Sequence, residues 1–222
     1  MAVFRFSRGD TMIYFLSDLH SNINFSTLKN YLDIATDDDL LIILGDIGLK
    51  FEKTQQNREF DDYFLSINKK IAFIDGNHEN FDYLKTFPEK EWNGGTAGRI
   101  TENIIHLKRG NVYTINGKKF FVFGGCKSSD KWKKAGLWHP DEMPNDDELT
   151  LAYKNLKIHN YEVDYVLTHK YEKGSEYDEL QKLTDFIDNN VKFNKWYSGH
   201  WHVNEKIDDK HIIVYDKLIS VD

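Results

Sequence analysis

The chain has 222 residues, 40% of them hydrophobic and 29% charged, and carries a net charge of −7. That length suits a domain with a real core, and the composition is that of a soluble globular protein. The acidic balance argues against a general binder of long nucleic acid, which needs a basic face to displace counterions from phosphates.

Residues 1–11 are a short mixed stretch with Arg5, Arg8 and Asp10 and no apolar h-region. No secretory signal is expected there; with Met12 as an alternative start, 1–11 reads as an N-terminal extension. Residues 12–16 are a continuous apolar run that breaks at Ser17-Asp18. Residues 40–44 do the same before Gly45-Asp46, and 71–74 before Asp75-Gly76-Asn77-His78. Between them, 25–35 and 60–68 space apolar side chains by three and four, the helical period. Fully apolar strands alternating with helices predict a buried parallel sheet with helices on its faces.

Short extended runs follow at 104–107, 112–115 and 120–123, the last two joined by Asn116-Gly117, a strong hairpin signal. After Gly124-Gly125 an irregular segment, 127–144, is rich in Lys, Trp and Gly. Asn145 or Asp146 then caps a helix running to about His159. An apolar run at 163–167 ends at Thr168-His169, and 178–187 is an amphipathic helix. Residues 195–198 lead into Gly199-His200-Trp201-His202, before closing strands at 212–215 and 218–221. No repeat, low-complexity tract or linker divides these elements, so 1–222 reads as a single domain. No run approaches the roughly 18 apolar residues of a transmembrane helix; a soluble, cytoplasmic protein without a membrane partner is expected. Nothing in the chain specifies an oligomeric state. The one cysteine, Cys126, implies no oxidising compartment.

In an open α/β sheet, ligands sit outside the carboxyl ends of the strands. Strand ends at residues 16, 44, 74, 167 and 198 therefore bring Asp18, His20, Asp46, Asn77, His78, His169, His200 and His202 to one edge. Imidazole, carboxylate and amide oxygen together suit borderline divalent ions such as manganese, iron, zinc or cobalt; an all-oxygen set would favour magnesium or calcium. No thiolate is expected near these motifs, which argues against a cysteine-type structural zinc site. Asp18 and His20 are two apart, as are His200 and His202, so at a strand end each pair shares a face. Glycines 45, 76 and 199 let the backbone turn tightly before a candidate ligand. Singly, each fragment has an ordinary reading: Gly-Asp after a strand is usually a turn. The ordered set points to a metal centre. His106, His139, His159 and His211 fall outside it.

In that order, Asp18-Leu19-His20, Gly45-Asp46, Gly76-Asn77-His78-Glu79, His169 and Gly199-His200-Trp201-His202 resemble the five-part signature of calcineurin-like metallophosphoesterases. The resemblance spans residues 12 to about 216 and leaves no signature position empty. It implies a four-layer α/β/β/α sandwich with a β-hairpin and loop insertion in the middle. It also implies two divalent metal ions, manganese first, with iron, zinc, cobalt or nickel as alternatives. One ion would be held by Asp18, His20, Asp46 and His202, the other by Asp46, Asn77, His169 and His200, with Asp46 bridging. Residues 76–81, 91–95, 123–125 and 142–144 are further similar to small bacterial and phage phosphoesterases of this superfamily. Cys126 stands where a small residue is expected there, and reads as a buried packing group.

The activity implied is hydrolysis of a phosphodiester or phosphomonoester. Two cations about 3.5–4 Å apart can share a hydroxide that attacks phosphorus in line with the leaving oxygen. His78 is the candidate proton donor to the leaving alkoxide, by family resemblance and because it adjoins Asn77; Asn77 is also a candidate phosphate contact. The Ser/Thr protein phosphatase branch carries an Arg soon after Gly-Asp and another after Gly-Asn-His-Glu. Residues 45–50 and 76–81 contain neither, which disfavours a protein phosphatase. The 127–144 segment, on the substrate side, offers lysines and aromatics for a small nucleotide, with Lys127, Trp138 and His139 as candidate contacts. A solvated lysine-rich loop over packed tryptophans is an equal reading. The other class, a non-catalytic scaffold on the same fold, is disfavoured because no ligand position and no proton donor is missing.

Overall fold

The computed structural model describes residues 11–21, 24–172 and 178–221; apart from Thr11, the expected N-terminal extension lies outside them. The first half contains β1 (Ile13–Leu16), α1 (Phe25–Ile34), β2 (Leu40–Leu44), α2 (Gln55–Leu65) and β3 (Lys70–Ile74). The middle contains α3 (Phe81–Leu84), β4 (Glu89–Trp92), β5 (Gly95–Arg99), β6 (Ile104–Leu107), β7 (Asn111–Ile115) and β8 (Lys118–Phe123). Then come α4 (Asp130–Lys134), a 3-10 turn at Pro140–Glu142, α5 (Asp146–Ile158), β9 (Tyr165–Thr168) and α6 (Glu179–Asn190). β10 (Lys195–Ser198), β11 (Glu205–Lys206), β12 (His211–Ile213) and β13 (Ile219–Val221) complete the order.

The strands form a 7-stranded sheet, β13-β1-β2-β3-β6-β5-β4, and a 6-stranded sheet, β11-β12-β10-β9-β8-β7. β1, β2, β3 and β6 are parallel, as are β8, β9, β10 and β12. Their apolar runs lack polar alternation because both faces of each sheet are covered. Ile13, Phe15, Ile42, Leu44 and Ile74 point into a core shared with Phe120, Val122 and Leu167 of the other sheet. The intervening Tyr14, Leu16, Leu41, Ile43 and Phe73 pack against Leu28 and Tyr31 of α1 and Phe60 and Phe64 of α2. Phe121, Phe123, Val166 and Trp196 face Ala152 and Leu156 of α5 and Leu183 and Ile187 of α6. Three apolar interfaces separate four layers, the α/β/β/α sandwich.

Helix α2 starts at Gln55, well before the expected residue 60, because Thr54 caps it: the Asn57 N–H donates to Thr54 Oγ1 at 3.1 Å. Asn145, rather than Asp146, caps α5, in a reciprocal box with Glu148. The β4–β5 hairpin was not expected, since its first strand is charged and exposed. Its two-residue turn, Asn93-Gly94, has φ of 51° and 92°, the signal that also marks the β7–β8 turn. No helix among the described residues is long and apolar enough to cross a membrane.

One buried ion pair ties the 127–144 segment to the end of β3. Arg109, 5% exposed, donates through Nε to Asp75 Oδ2 at 2.7 Å and through Nη2 to the same oxygen. It also reaches Glu148 Oε2 at 3.2 Å and the Asp141 carbonyl at 2.8 Å. Burial pushes the Asp75 carboxyl up, but Arg109 and then His106 hold it well below the usual carboxylate range. Its contribution is therefore complete at neutral pH and is lost as pH falls below that range. Arg109→Met leaves Asp75 buried without its main partner and is expected to lower the unfolding free energy at pH 7 by about 3–5 kcal/mol. A urea titration of both proteins measures this; a loss under about 1 kcal/mol would show that the pair holds nothing together.

Candidate metal centre

The residues that follow β1, β2, β3, β9 and β10 meet at one edge. They meet in tight turns rather than on extended strand ends: φ is 56° at Asp18, 41° at His20, 55° at Asp46, 72° at His200 and 52° at His202. The expected sharing of a strand face by Asp18/His20 and His200/His202 is thus corrected: the left-handed backbone sets His20 Nε2 3.9 Å from Asp18 Oδ1 and sends His200 and His202 to different donor groups. Non-glycine residues seldom adopt that region, and each costs about 1–3 kcal/mol unless neighbours hold it. Here the turns hold one another: Asp18 N–H donates to the Gly45 carbonyl at 3.1 Å, His20 N–H to that of Asp46 at 2.9 Å, and Gly199 N–H to that of His169 at 2.8 Å.

Each carboxylate is split between backbone and site. Asp18 Oδ2 accepts the His200 N–H at 2.9 Å, and Asp46 Oδ1 accepts the His78 N–H at 2.7 Å. The other oxygens face inward. Asp18 Oδ1 is fully buried and accepts no hydrogen bond, with His202 Nε2 3.4 Å away. Asp46 Oδ2 lies 3.4 Å from His20 Nε2 and 3.4 Å from His169 Nε2. An uncompensated buried carboxylate oxygen is costly, so this inward array calls for a positive charge.

The donors form two groups joined at Asp46. On one side, Asp18 Oδ1 and the Nε2 atoms of His20 and His202 converge; those two nitrogens are 3.0 Å apart. On the other, His169 Nδ1–H donates to the Leu44 carbonyl at 2.7 Å, which leaves Nε2 to face Asn77 Oδ1 at 3.3 Å. Asn77 is oriented in turn by its Nδ2–H, which donates to Ser128 Oγ at 3.2 Å. Burial holds the His20 ring below its ordinary pKa, and burial with His169 pushes His200 down to about 3. Both are therefore neutral imidazoles, the form that binds metals. Burial lowers His169 as well, but Asp46 overrides it and raises His169 to about 10. Glu79 buttresses the turns, accepting from the Ile47 N–H at 3.0 Å; burial and then Asp46 push it up to about 8, so it adds no third negative charge at pH 7. The set of imidazoles, carboxylates and amide oxygen fits divalent cations of the borderline class.

The family model of calcineurin-like phosphoesterases matches residues 11–204. The chain belongs to that family. Members generally bind divalent metal ions, and membership supports a metal-dependent phosphoesterase in general. Among relatives of this calcineurin-like phosphoesterase, an uncharacterised protein of Methanocaldococcus jannaschii is 30% identical over 129 residues, 50% of this chain and 67% of that one. The lariat debranching enzyme of Schizosaccharomyces pombe is 26% identical over 179 residues, 70% of this chain but only 37% of the enzyme. A solved structure from Thermus thermophilus has the same fold, with a TM-score of 0.51 at 15% identity over 95% of this chain and 98% of that one.

A cavity of about 590 Å³ opens over the donors, lined by His20, His78, Lys127, Trp132, Lys170 and His200 among others. Of the three contacts expected from the 127–144 segment, Lys127 lines it; Trp138 and His139 do not. His139 accepts the Asp141 N–H at 3.2 Å and packs against Phe81, while Trp138 is 44% exposed with Lys133 over its ring. The indole at the cavity is Trp132, 4.8 Å from the His78 ring. Nothing in the sequence distinguishes the two tryptophans. Cys126 is a second correction. Contrary to the expectation that no thiol lies near the motifs, its Sγ is 3.1 Å from Asn77 Oδ1. Its signal was a further strand end: β8 stops at Phe123, and Gly124-Gly125 lead to Cys126 as the other turns lead to the candidate ligands.

Gly76 is needed for space rather than for a turn. A Cβ there would overlap Asp46 Oδ1 and lie 2.5 Å from Asp46 N. At Gly117, φ is +76° but nothing lies within 4 Å of the added Cβ. Gly76→Ala is expected to destabilise by about 3 kcal/mol and Gly117→Ala by about 1 kcal/mol. Equal urea midpoints for the two variants would contradict the close packing around Asp46.

Proposed function

We propose that this protein hydrolyses small phosphate esters, using two divalent cations held by the two donor groups that share Asp46. The observation carrying this reading is the inward pair of carboxylate oxygens, Asp18 Oδ1 and Asp46 Oδ2, each aimed at imidazole nitrogens with its partner oxygen tied to backbone. Asp18, His20 and His202 would hold one cation; Asn77, His169 and His200 the other; Asp46 would touch both. Such ions supply Lewis acidity toward phosphoryl oxygens and lower the proton affinity of water.

The chain's own residues would do the rest. His78 lines the cavity next to Asn77, its backbone fixed by Asp46, and its ring is held edge-on by His20 at 5.1 Å, Phe51 at 5.4 Å and Trp132 at 4.8 Å. It is the proton donor to the leaving oxygen in this reading. Asn77 also contacts the phosphoryl group. Lys127 and Lys170 at the cavity wall attract its negative charge, and the Trp132 indole offers a face to a flat leaving group. A small nucleotide is the substrate class these walls favour. The cavity volume falls within the range of small-molecule sites.

Manganese-loaded protein is expected to hydrolyse bis-p-nitrophenyl phosphate or p-nitrophenyl phosphate, and then members of a nucleotide panel. His78→Ala should keep its metals by elemental analysis yet lose about 10²–10⁴-fold in kcat on an alkyl ester. Full activity of that variant would remove His78 as proton donor. No turnover on any ester, with no bound metal, would favour a scaffold instead.

A further inference from the structure

Cys126 follows β8 as the candidate ligands follow the other strands, and its side chain is fully buried. Its surroundings on one side are polar. The Sγ–H donates to Asn77 Oδ1 at 3.1 Å, and the sulfur lies 3.5 Å from His200 Nδ1. Asn77 Oδ1 is itself 3.3 Å from His169 Nε2. The sulfur and one nitrogen of each of His169 and His200 lie within 4.8 Å of one another. Bonds of about 2.0–2.3 Å to a tetrahedral ion separate its donors by roughly 3.3–3.8 Å. The three spacings of 3.1, 3.5 and 3.3 Å lie near that range, so sulfur, imidazole and amide oxygen are placed to share one ion, with Asp46 as a further donor.

We propose that Cys126 is a thiolate ligand of the cation held by Asn77, His169 and His200, and that it biases this half of the centre toward zinc, cobalt or ferrous iron over manganese. The inference rests on the two-cation reading above and adds to it a donor of different softness. Thiolate selects the softer ions, whereas imidazole, amide and carboxylate accept manganese readily. A packing role alone would need only volume. It would not need a sulfur directed at an amide oxygen that already faces His169 Nε2. Metal ligands bind in their deprotonated form, so the thiol proton would leave as the cation binds.

The test uses cobalt, whose spectrum reports its ligands. Because Cys126 is the chain's one cysteine, a thiolate-to-cobalt charge-transfer band can arise from no other residue. The full chain loaded with Co²⁺ is expected to show that near-ultraviolet band together with visible d–d bands. Cys126→Ser should retain the cobalt and the d–d bands but lose the charge-transfer band. In competition dialysis against equal Zn²⁺ and Mn²⁺, the bound zinc-to-manganese ratio should fall about tenfold in that variant. Bound cobalt without the charge-transfer band in the wild type would overturn the proposal and leave the two-cation reading intact. An unchanged zinc-to-manganese ratio would overturn the selectivity. No cobalt uptake by the wild type would overturn the metal centre itself, and this ligand with it. The wild-type spectrum decides even if the variant fails to fold.

Discussion

The Asp46 carboxylate is the constraint around which the edge of this sandwich is arranged. It is 1% exposed, and its two oxygens face different tasks: Oδ1 takes the His78 N–H, and Oδ2 stands 3.4 Å from an imidazole of each donor group. Burial penalises its charge, but His169 holds it well below the usual carboxylate range. An ionised group in that position demands close neighbours on every side. Gly45 accommodates one of them: with φ of +91°, it brings the backbone so near the His169 ring that an added Cβ would overlap Nδ1. The strained turns at Asp18, His20, His200 and His202 follow from the same demand, since only tight reversals point so many short side chains at one place.

Support for the second donor group runs outward through the middle of the chain. Asn77 is oriented by Ser128, whose N–H donates to Glu142 Oε1 at 2.7 Å. The Arg109 guanidinium, anchored on Asp75, donates to the Asp141 carbonyl beside it. The 127–144 segment is thus tied to the candidate ligand Asn77 at Ser128 and to the β3 end through Arg109. Its α4 turn supplies Trp132 to the cavity wall. One segment both braces a candidate ligand and lines the cavity over the donors. Changes to it should alter metal affinity as well as specificity.

Much of this was legible in the sequence, for identifiable reasons. The apolar runs at 12–16, 40–44 and 71–74 are buried on both faces, so they read as strands without ambiguity, and the rule that sites lie beyond strand ends led to the candidate ligands. What was hidden was hidden by context. Two facing sheets and one sheet flanked by helices demand the same continuous apolar strands, so the sandwich came from family resemblance rather than from periodicity. β4 was missed because an exposed, charged strand, Glu89 to Trp92, carries no hydrophobic pattern. Trp132 and Trp138 are told apart only by the fold: Trp132 lies on α4 at the cavity, and Trp138 lies beyond that helix, exposed. Cys126 reads as filler until the distance from its sulfur to Asn77 is known.

The central claim is that the two donor groups form one dinuclear centre through Asp46. Electron paramagnetic resonance of the manganese-loaded protein tests it most directly, because two Mn²⁺ ions sharing a ligand are exchange-coupled while separated ions are not. The wild type is expected to give a coupled multiline signal at two manganese per chain, and Asp46→Ala to lose both that signal and the stoichiometry. Two uncoupled ions in the wild type, or a coupled pair that survives Asp46→Ala, would contradict it.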